Sequence, residues 1–197
     1  VGGGRATLEV LPITGGTPAT VLTSDGRLSH PSWARNGRQL VLASDLSGEW
    51  ELWVAGISSG RLTRLTTDES RQMEPASSPM SDDVVLTMEE GGGTALYLLE
   101  PQTKRTIRLS SASASPPRDA EPAWSPDGRQ IAFSSERNGN RDLYIVASGG
   151  GEAKRLTDWP GSERHPGWSP DGSWRVFARD SGSGSEIWKI RATGGEP

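Results

Sequence analysis

The chain has 197 residues, a formal net charge of −4 with both signs interspersed, 25 Gly, 14 Pro and no Cys. That excludes a disulfide framework and a thiolate nucleophile, and the basic stripe that nucleic-acid binding by counterion release requires. It also excludes a helical membrane span, since the apolar runs last only a few residues against the about 20 that a bilayer demands. The chain starts at Val1 without methionine, carries no signal peptide and stops inside a repeat. It therefore reads as a piece of a longer protein, and the missing signal leaves the compartment open.

In chain order, Leu8-Glu9-Val10 and Ala19-Thr20-Val21-Leu22-Thr23 open the sequence as two strands. A four-part pattern then repeats, with its first landmark at His30-Pro31-Ser32-Trp33, Glu74-Pro75-Ala76-Ser77, Glu121-Pro122-Ala123-Trp124 and His165-Pro166-Gly167-Trp168, in steps of 44, 47 and 44 residues. Leu52-Trp53-Val54, Leu96-Tyr97-Leu98, Leu143-Tyr144-Ile145 and Ile187-Trp188-Lys189 hold the same register, as do Leu22-Thr23, Leu65-Thr66, Leu109-Ser110 and Leu156-Thr157. A repeat of this length built from short strands predicts an all-β fold, a β-propeller with one four-stranded antiparallel blade per repeat. The repeats run over about 7–29 (partial), 30–73, 74–120, 121–164 and 165–197 (partial), within one propeller region.

The clearest blade is 121–164. Pro122-Ala123-Trp124 is its innermost strand. Ser125-Pro126-Asp127-Gly128 turns, Pro126 pre-setting φ and Gly128 tolerating a positive one. Residues 129–134 form the second strand, Asn138-Gly139 a hairpin turn, and residues 143–146 the third strand. Gly149-Gly150-Gly151 breaks it, and residues 153–157 form the outermost strand. The second strands, Leu40-Val41-Leu42, Val84-Val85-Leu86 and Ile131-Ala132-Phe133, are apolar at consecutive positions, so both faces of each sheet are covered. Trp33, Trp124 and Trp168 are expected to wedge between neighbouring blades.

The repeats also differ. Ser77 replaces Trp, and 111–117 reads as a longer surface loop. Arg175 stands where Leu40, Val84 and Ile131 stand, with Trp174 one position earlier, which suggests a one-residue shift at a blade edge or bulge. About four to four-and-a-half repeats are present, which reads as a fragment of a ring of about six to eight blades. A chain closing by itself would use Ala19–Leu22 as the fourth strand of the last blade.

The runs Glu121-Pro-Ala-Trp-Ser-Pro-Asp-Gly-Arg-Gln-Ile-Ala-Phe-Ser-Ser, Asp142-Leu-Tyr-Ile-Val, Lys154-Arg-Leu-Thr and His165-Pro-Gly-Trp-Ser-Pro-Asp-Gly resemble the WD-like propeller repeat of the TolB family. The resemblance covers nearly the whole chain. It implies a TolB-like bacterial propeller. Such propellers serve as periplasmic protein-binding modules of the Tol–Pal system, as non-catalytic lids of prolyl-oligopeptidase-type serine peptidases, or as sensor domains on bacterial kinases and transcription regulators. The fold alone does not choose among them.

His30 and His165 are the only histidines and share their register with Glu74 and Glu121. All four precede a proline at the start of an innermost strand. They read either as a ring at one channel mouth that takes a cation or a partner's basic side chain, or as solvated residues capping those strands. Residues 136–142 lack the ligand pattern of a calcium loop and read as a hairpin turn. Asp142, Glu51 and Glu186 recur before the third strands and read as structural. Ser-Pro-Asp-Gly is similar to the Asp-box turn of sialidases, but Tyr97 and Tyr144, the only tyrosines, occupy core register positions. Ser181-Gly182-Ser183-Gly184-Ser185 lacks nucleophile-elbow spacing, and the glycine runs at 2–4 and 91–93 lack the Lys of a phosphate loop. The expectation is a non-enzymatic, extracytoplasmic scaffold. It binds a protein or peptide and needs no cofactor or metal, nucleic acid or membrane insertion.

Overall fold

The computed structural model describes residues 5–68, 70–110, 117–182 and 184–193. Among these, seventeen strands form five antiparallel sheets, and no helix is long and apolar enough to cross a membrane. Blade 1 has two strands, β1 (Ala6–Val10) and β2 (Ala19–Ser24). Blade 2 has β3 (Leu28–Trp33), β4 (Gln39–Ser44), β5 (Glu51–Gly56) and β6 (Leu62–Arg64). Blade 3 has β7 (Gln72–Ser77), β8 (Val84–Glu90), β9 (Gly93–Glu100) and β10 (Arg105–Arg108). Blade 4 has β11 (Ala120–Trp124), β12 (Gln130–Ser135), β13 (Asp142–Ala147) and β14 (Lys154–Arg155). Blade 5 has β15 (Ser162–Trp168), β16 (Trp174–Asp180) and β17 (Ser185–Arg191).

The core is a set of seams between sheets, which explains the consecutive apolar residues. In β4, Leu40 and Leu42 pack with Leu8 and Leu22 of blade 1, while Val41 and Ala43 pack with Val84 and Leu86 of blade 3. Val85, pleated to the other side of β8, joins Ile131, Phe133 and Tyr144 of blade 4. Leu143 then meets Phe177 and Ile190 of blade 5, with Trp159 and Trp188 against them. β4 and β8 thus each feed two seams, and a polar residue at their apolar positions would face apolar neighbours.

The outer strands are shorter than expected: β14 is two residues long and β6 three. Pairing is completed instead by the Leu-Thr landmark. The Leu143 N–H donates to Thr157 Oγ1 at 2.8 Å, and the Leu52 N–H to Thr66 Oγ1 at 3.0 Å. A side-chain hydroxyl satisfies a buried backbone donor that a longer strand would have paired. The carboxylates before the third strands tie down the same edge. Buried Asp142 pairs with Arg155 at 2.7 Å, and buried Glu51 pairs with Arg64. Glu186, in a sheet of three strands, remains exposed and accepts from the Trp188 indole instead.

Three expectations change. Trp124 and Trp168 do join blades, their indole N–H groups donating to Ala76 O at 2.9 Å and Ala123 O at 3.1 Å. Trp33, however, is 50% exposed, because blade 1 offers no innermost strand beside it among the described residues. Arg175 shows no shift: Trp168 pairs with Arg175 as Trp33 pairs with Leu40 and Trp124 with Ile131, and the β16–β17 register is unbroken. The guanidinium is accommodated by stacking 4.2 Å from the Trp168 ring and donating to Ala192 O at 2.8 Å. Finally, β2 pairs with β1 and not with β17. Gly2–Gly4, the 111–116 part of the expected surface loop, and Ser183 lie outside the described residues.

Candidate functional site

The four register positions prove to be backbone irregularities. His30, Glu74, Glu121 and His165 have φ of 49°, 52°, 57° and 51°, all left-handed. They sit in mid-strand rather than at the strand start, each at a break in register. Ser29 pairs with Ala43 and Ser32 with Val41, so residues 30 and 31 together face Leu42 alone. The same two-against-one arrangement recurs between Met73 and Ala76, Ala120 and Ala123, and Arg164 and Gly167. This is a β-bulge with its first residue left-handed. The following proline suits the position because the bulge interrupts the ladder and no N–H is needed there. A left-handed conformation at a non-glycine residue costs about 1–3 kcal/mol and persists only where the surroundings over-determine it.

The surroundings are the neighbouring blades. Glu74 Oε2 accepts the Glu121 backbone N–H at 2.8 Å, and Glu121 Oε2 accepts the His165 backbone N–H at 2.8 Å. Each carboxylate thereby satisfies a donor that the next bulge has turned out of its own sheet. Hydroxyls from the second strands support them: Ser134 donates to Glu121 Oε2 at 2.8 Å and Thr87 reaches Glu74 Oε2 at 3.5 Å. The second Glu121 oxygen lies 3.2 Å from His165 Nδ1. His30 Nδ1 lies 2.7 Å from Ser29 Oγ.

All four residues, with the prolines that follow them, line one cavity of about 330 Å³ on the inner edges of blades 2 to 5. Pro75 and Pro166 are buried in its wall, and the imidazoles of His30 and His165 are exposed. The site has acceptor oxygens, two imidazoles and an apolar proline lining. Among the described residues, no three His, Cys, Asp or Glu side chains approach closely enough to hold a metal ion. The four positions line this cavity in a conformation that the sequence reading did not anticipate. The available signal was a polar residue before proline in the middle of an otherwise regular strand.

Residues 106–197 match the model of the TolB beta propeller domain. Over that part the chain is similar to TolB propellers, and its fold is that of a β-propeller. "Tol-Pal system protein TolB" of Francisella tularensis subsp. tularensis is 27% identical over 89 residues, covering 44% of this chain and 20% of the relative. The chain thus spans about a fifth of the length of such curated relatives. Among solved structures, TolB from Acinetobacter baumannii superposes with a TM-score of 0.82 at 23% identity, covering 96% of this chain and 47% of that one. A puromycin hydrolase superposes with a TM-score of 0.66 at 16% identity, over 85% of this chain and 27% of that one. Both likenesses carry the fold only. Part of the chain is thus similar in sequence to a Tol-Pal system protein, and its architecture is found in a hydrolase as well.

Proposed function

We propose that this TolB-like propeller is a non-catalytic, extracytoplasmic scaffold that receives a protein or peptide segment at the inner cavity ringed by His30, Glu74, Glu121 and His165. The observation carrying this reading is the repetition of one costly backbone conformation at four equivalent places, all opening on a single cavity. Conserving the strain around a concave surface points to the surface as the reason for it. Acceptor oxygens beside an apolar proline wall suit a segment with both polar and apolar parts. The curated relatives' names place them in a Tol-Pal protein system, which supports a protein partner and a periplasmic setting.

The test is affinity capture from a bacterial envelope extract with the wild-type chain and with a His30→Ala, His165→Ala double variant. These two side chains are exposed, so the variant keeps the fold. Proteins held by the wild-type chain and lost by the variant are the expected result. An identical set on both baits, or none on either, overturns the reading.

The hydrolase likeness favours a second reading, in which the same propeller shapes access to a catalytic domain. An open reading frame that continues into an α/β-hydrolase region with a Gly-x-Ser-x-Gly elbow decides for it.

A further inference from the structure

The inner cavity is one end of a longer path. A crevice of about 210 Å³ between blades 3 and 4 shares Glu74 with it. That crevice in turn shares Glu89, Thr94 and Ala120 with an open groove of about 560 Å³ at the turn between β8 and β9. The groove exists for local reasons. β8 and β9 run longer than the other second and third strands of the four-stranded blades and meet at Gly91-Gly92-Gly93. Gly91 and Gly92 have positive φ and nothing within 4 Å of where a Cβ would stand, so no side chain fills the floor. The opposite wall is fixed: the Thr94 N–H donates to Pro117 O at 2.7 Å, and the Asp119 N–H donates to Thr94 O at 3.1 Å.

The charges along this path are sorted. Glu89 is matched by Arg71 at 3.4 Å, and Glu90 by Arg108 at 3.0 Å. At the turn end, Arg141 at 2.6 Å and Arg118 at 3.6 Å converge on the single Glu136 carboxylate, so two guanidinium charges meet one carboxylate. At the inner end the reverse holds. Glu74 and Glu121 face backbone N–H groups, hydroxyls and one imidazole, with no Lys or Arg paired to either among the described residues. The path is positive outside and negative inside.

We infer that an extended peptide segment lies in this groove along the boundary between blades 3 and 4, with a carboxylate at Arg118 and Arg141 and a basic side chain at Glu74 and Glu121. This rests on the reading of the inner cavity as a binding site, and adds to it a direction and a charge pattern. Paired guanidiniums suit a carboxylate because their planar forks match its two oxygens. Opposite charges at the two ends fix the polarity with which the segment enters.

The test selects a displayed library of random peptides on the intact chain, then measures the enriched peptides by fluorescence anisotropy against wild type, Arg118→Glu and Glu121→Gln. Enriched peptides are expected to carry one acidic and one basic residue at a constant separation. Arg118→Glu weakens them by about tenfold, and replacing the peptide's acid with Lys restores binding to that variant, which a merely structural role for Arg118 would not do. Glu121→Gln weakens them through the basic residue. Peptides sensitive to Glu121→Gln but indifferent to Arg118→Glu overturn the groove and leave the inner site standing. Peptides indifferent to both, or no enrichment at all, overturn the inner site and the groove with it.

Discussion

Glu121 holds His165 twice across a blade boundary, accepting its backbone N–H at 2.8 Å on one oxygen and facing its imidazole at 3.2 Å with the other. The backbone bond matters more for the fold, because the left-handed turn at His165 points that N–H away from its own sheet. A hydrogen bond to a charged acceptor contributes about 1.5–3 kcal/mol, and leaving its partner unsatisfied costs a similar amount.

Glu121→Ala is therefore expected to destabilise the chain by about 1–3 kcal/mol. Glu121→Gln keeps a side-chain oxygen in the same place and is expected to lose less than half of that. Urea unfolding of the three proteins checks the order. Equal losses for Ala and Gln would mean that charge, not the acceptor, holds the seam.

The tryptophans give a second ordering. Trp124 bonds to blade 3 through its indole and packs against the seam between blades 3 and 4, whereas Trp33 is half exposed. Trp124→Ala is expected to cost about 3–5 kcal/mol, in the range of large-to-small changes at packed sites, and Trp33→Ala well under half of that. Thermal melts of the two variants side by side read out the difference.

The Leu-Thr landmark predicts a hydroxyl effect that strand propensity would not. Thr157 Oγ1 accepts the Leu143 N–H at 2.8 Å and donates to Glu163 Oε2 at 3.1 Å. Thr157→Val keeps the shape and the β-branched stem but strands a buried N–H, and is expected to cost about 1–3 kcal/mol. Thr157→Ser keeps the hydroxyl and is expected to cost under about 1 kcal/mol. Chemical denaturation separates the two, and a Val variant as stable as wild type would show that water satisfies that donor.

How far the sequence could be read depended on whether a property repeats. The blade register was legible because Leu40, Val84 and Ile131 meet the same two-sided packing in every repeat. The inner ring was legible as a set, since four X-Pro pairs recur in phase. Its conformation was not, because a residue before proline ordinarily prefers extended backbone, and the β-bulge that all four residues open, braced at Glu121 and His165 by a carboxylate of the preceding blade, leaves no periodic trace. Arg175 was misread because its tolerance comes from the Trp168 ring on the adjacent strand. The groove at the β8–β9 turn was invisible for a related reason: it joins a hairpin at 89–93 to Arg118 and Arg141, residues that no periodicity connects.

Glu163 gives the pH dependence. It is fully buried, with the Arg179 Nε 3.5 Å from one oxygen and the Thr157 hydroxyl on the other. Burial raises its pKa, and the nearby charge of buried Asp142 raises it further, against the lowering by the Thr157 bond and Arg179. A carboxyl raised in the folded state favours folding when it is protonated. Its contribution is therefore fully present below the usual glutamate range and is lost as pH rises through the folded value. Glu163→Gln mimics the protonated form at every pH and can still accept from Thr157. The melting temperature of this variant relative to wild type is expected to be highest near neutrality and to decline toward the acid side, the two proteins converging below about pH 4, where glutamate is protonated in the unfolded chain as well. Melts at a series of pH values test the sign. A variant whose disadvantage grows toward neutrality would mean that the ion pair with Arg179 outweighs the burial of the charge.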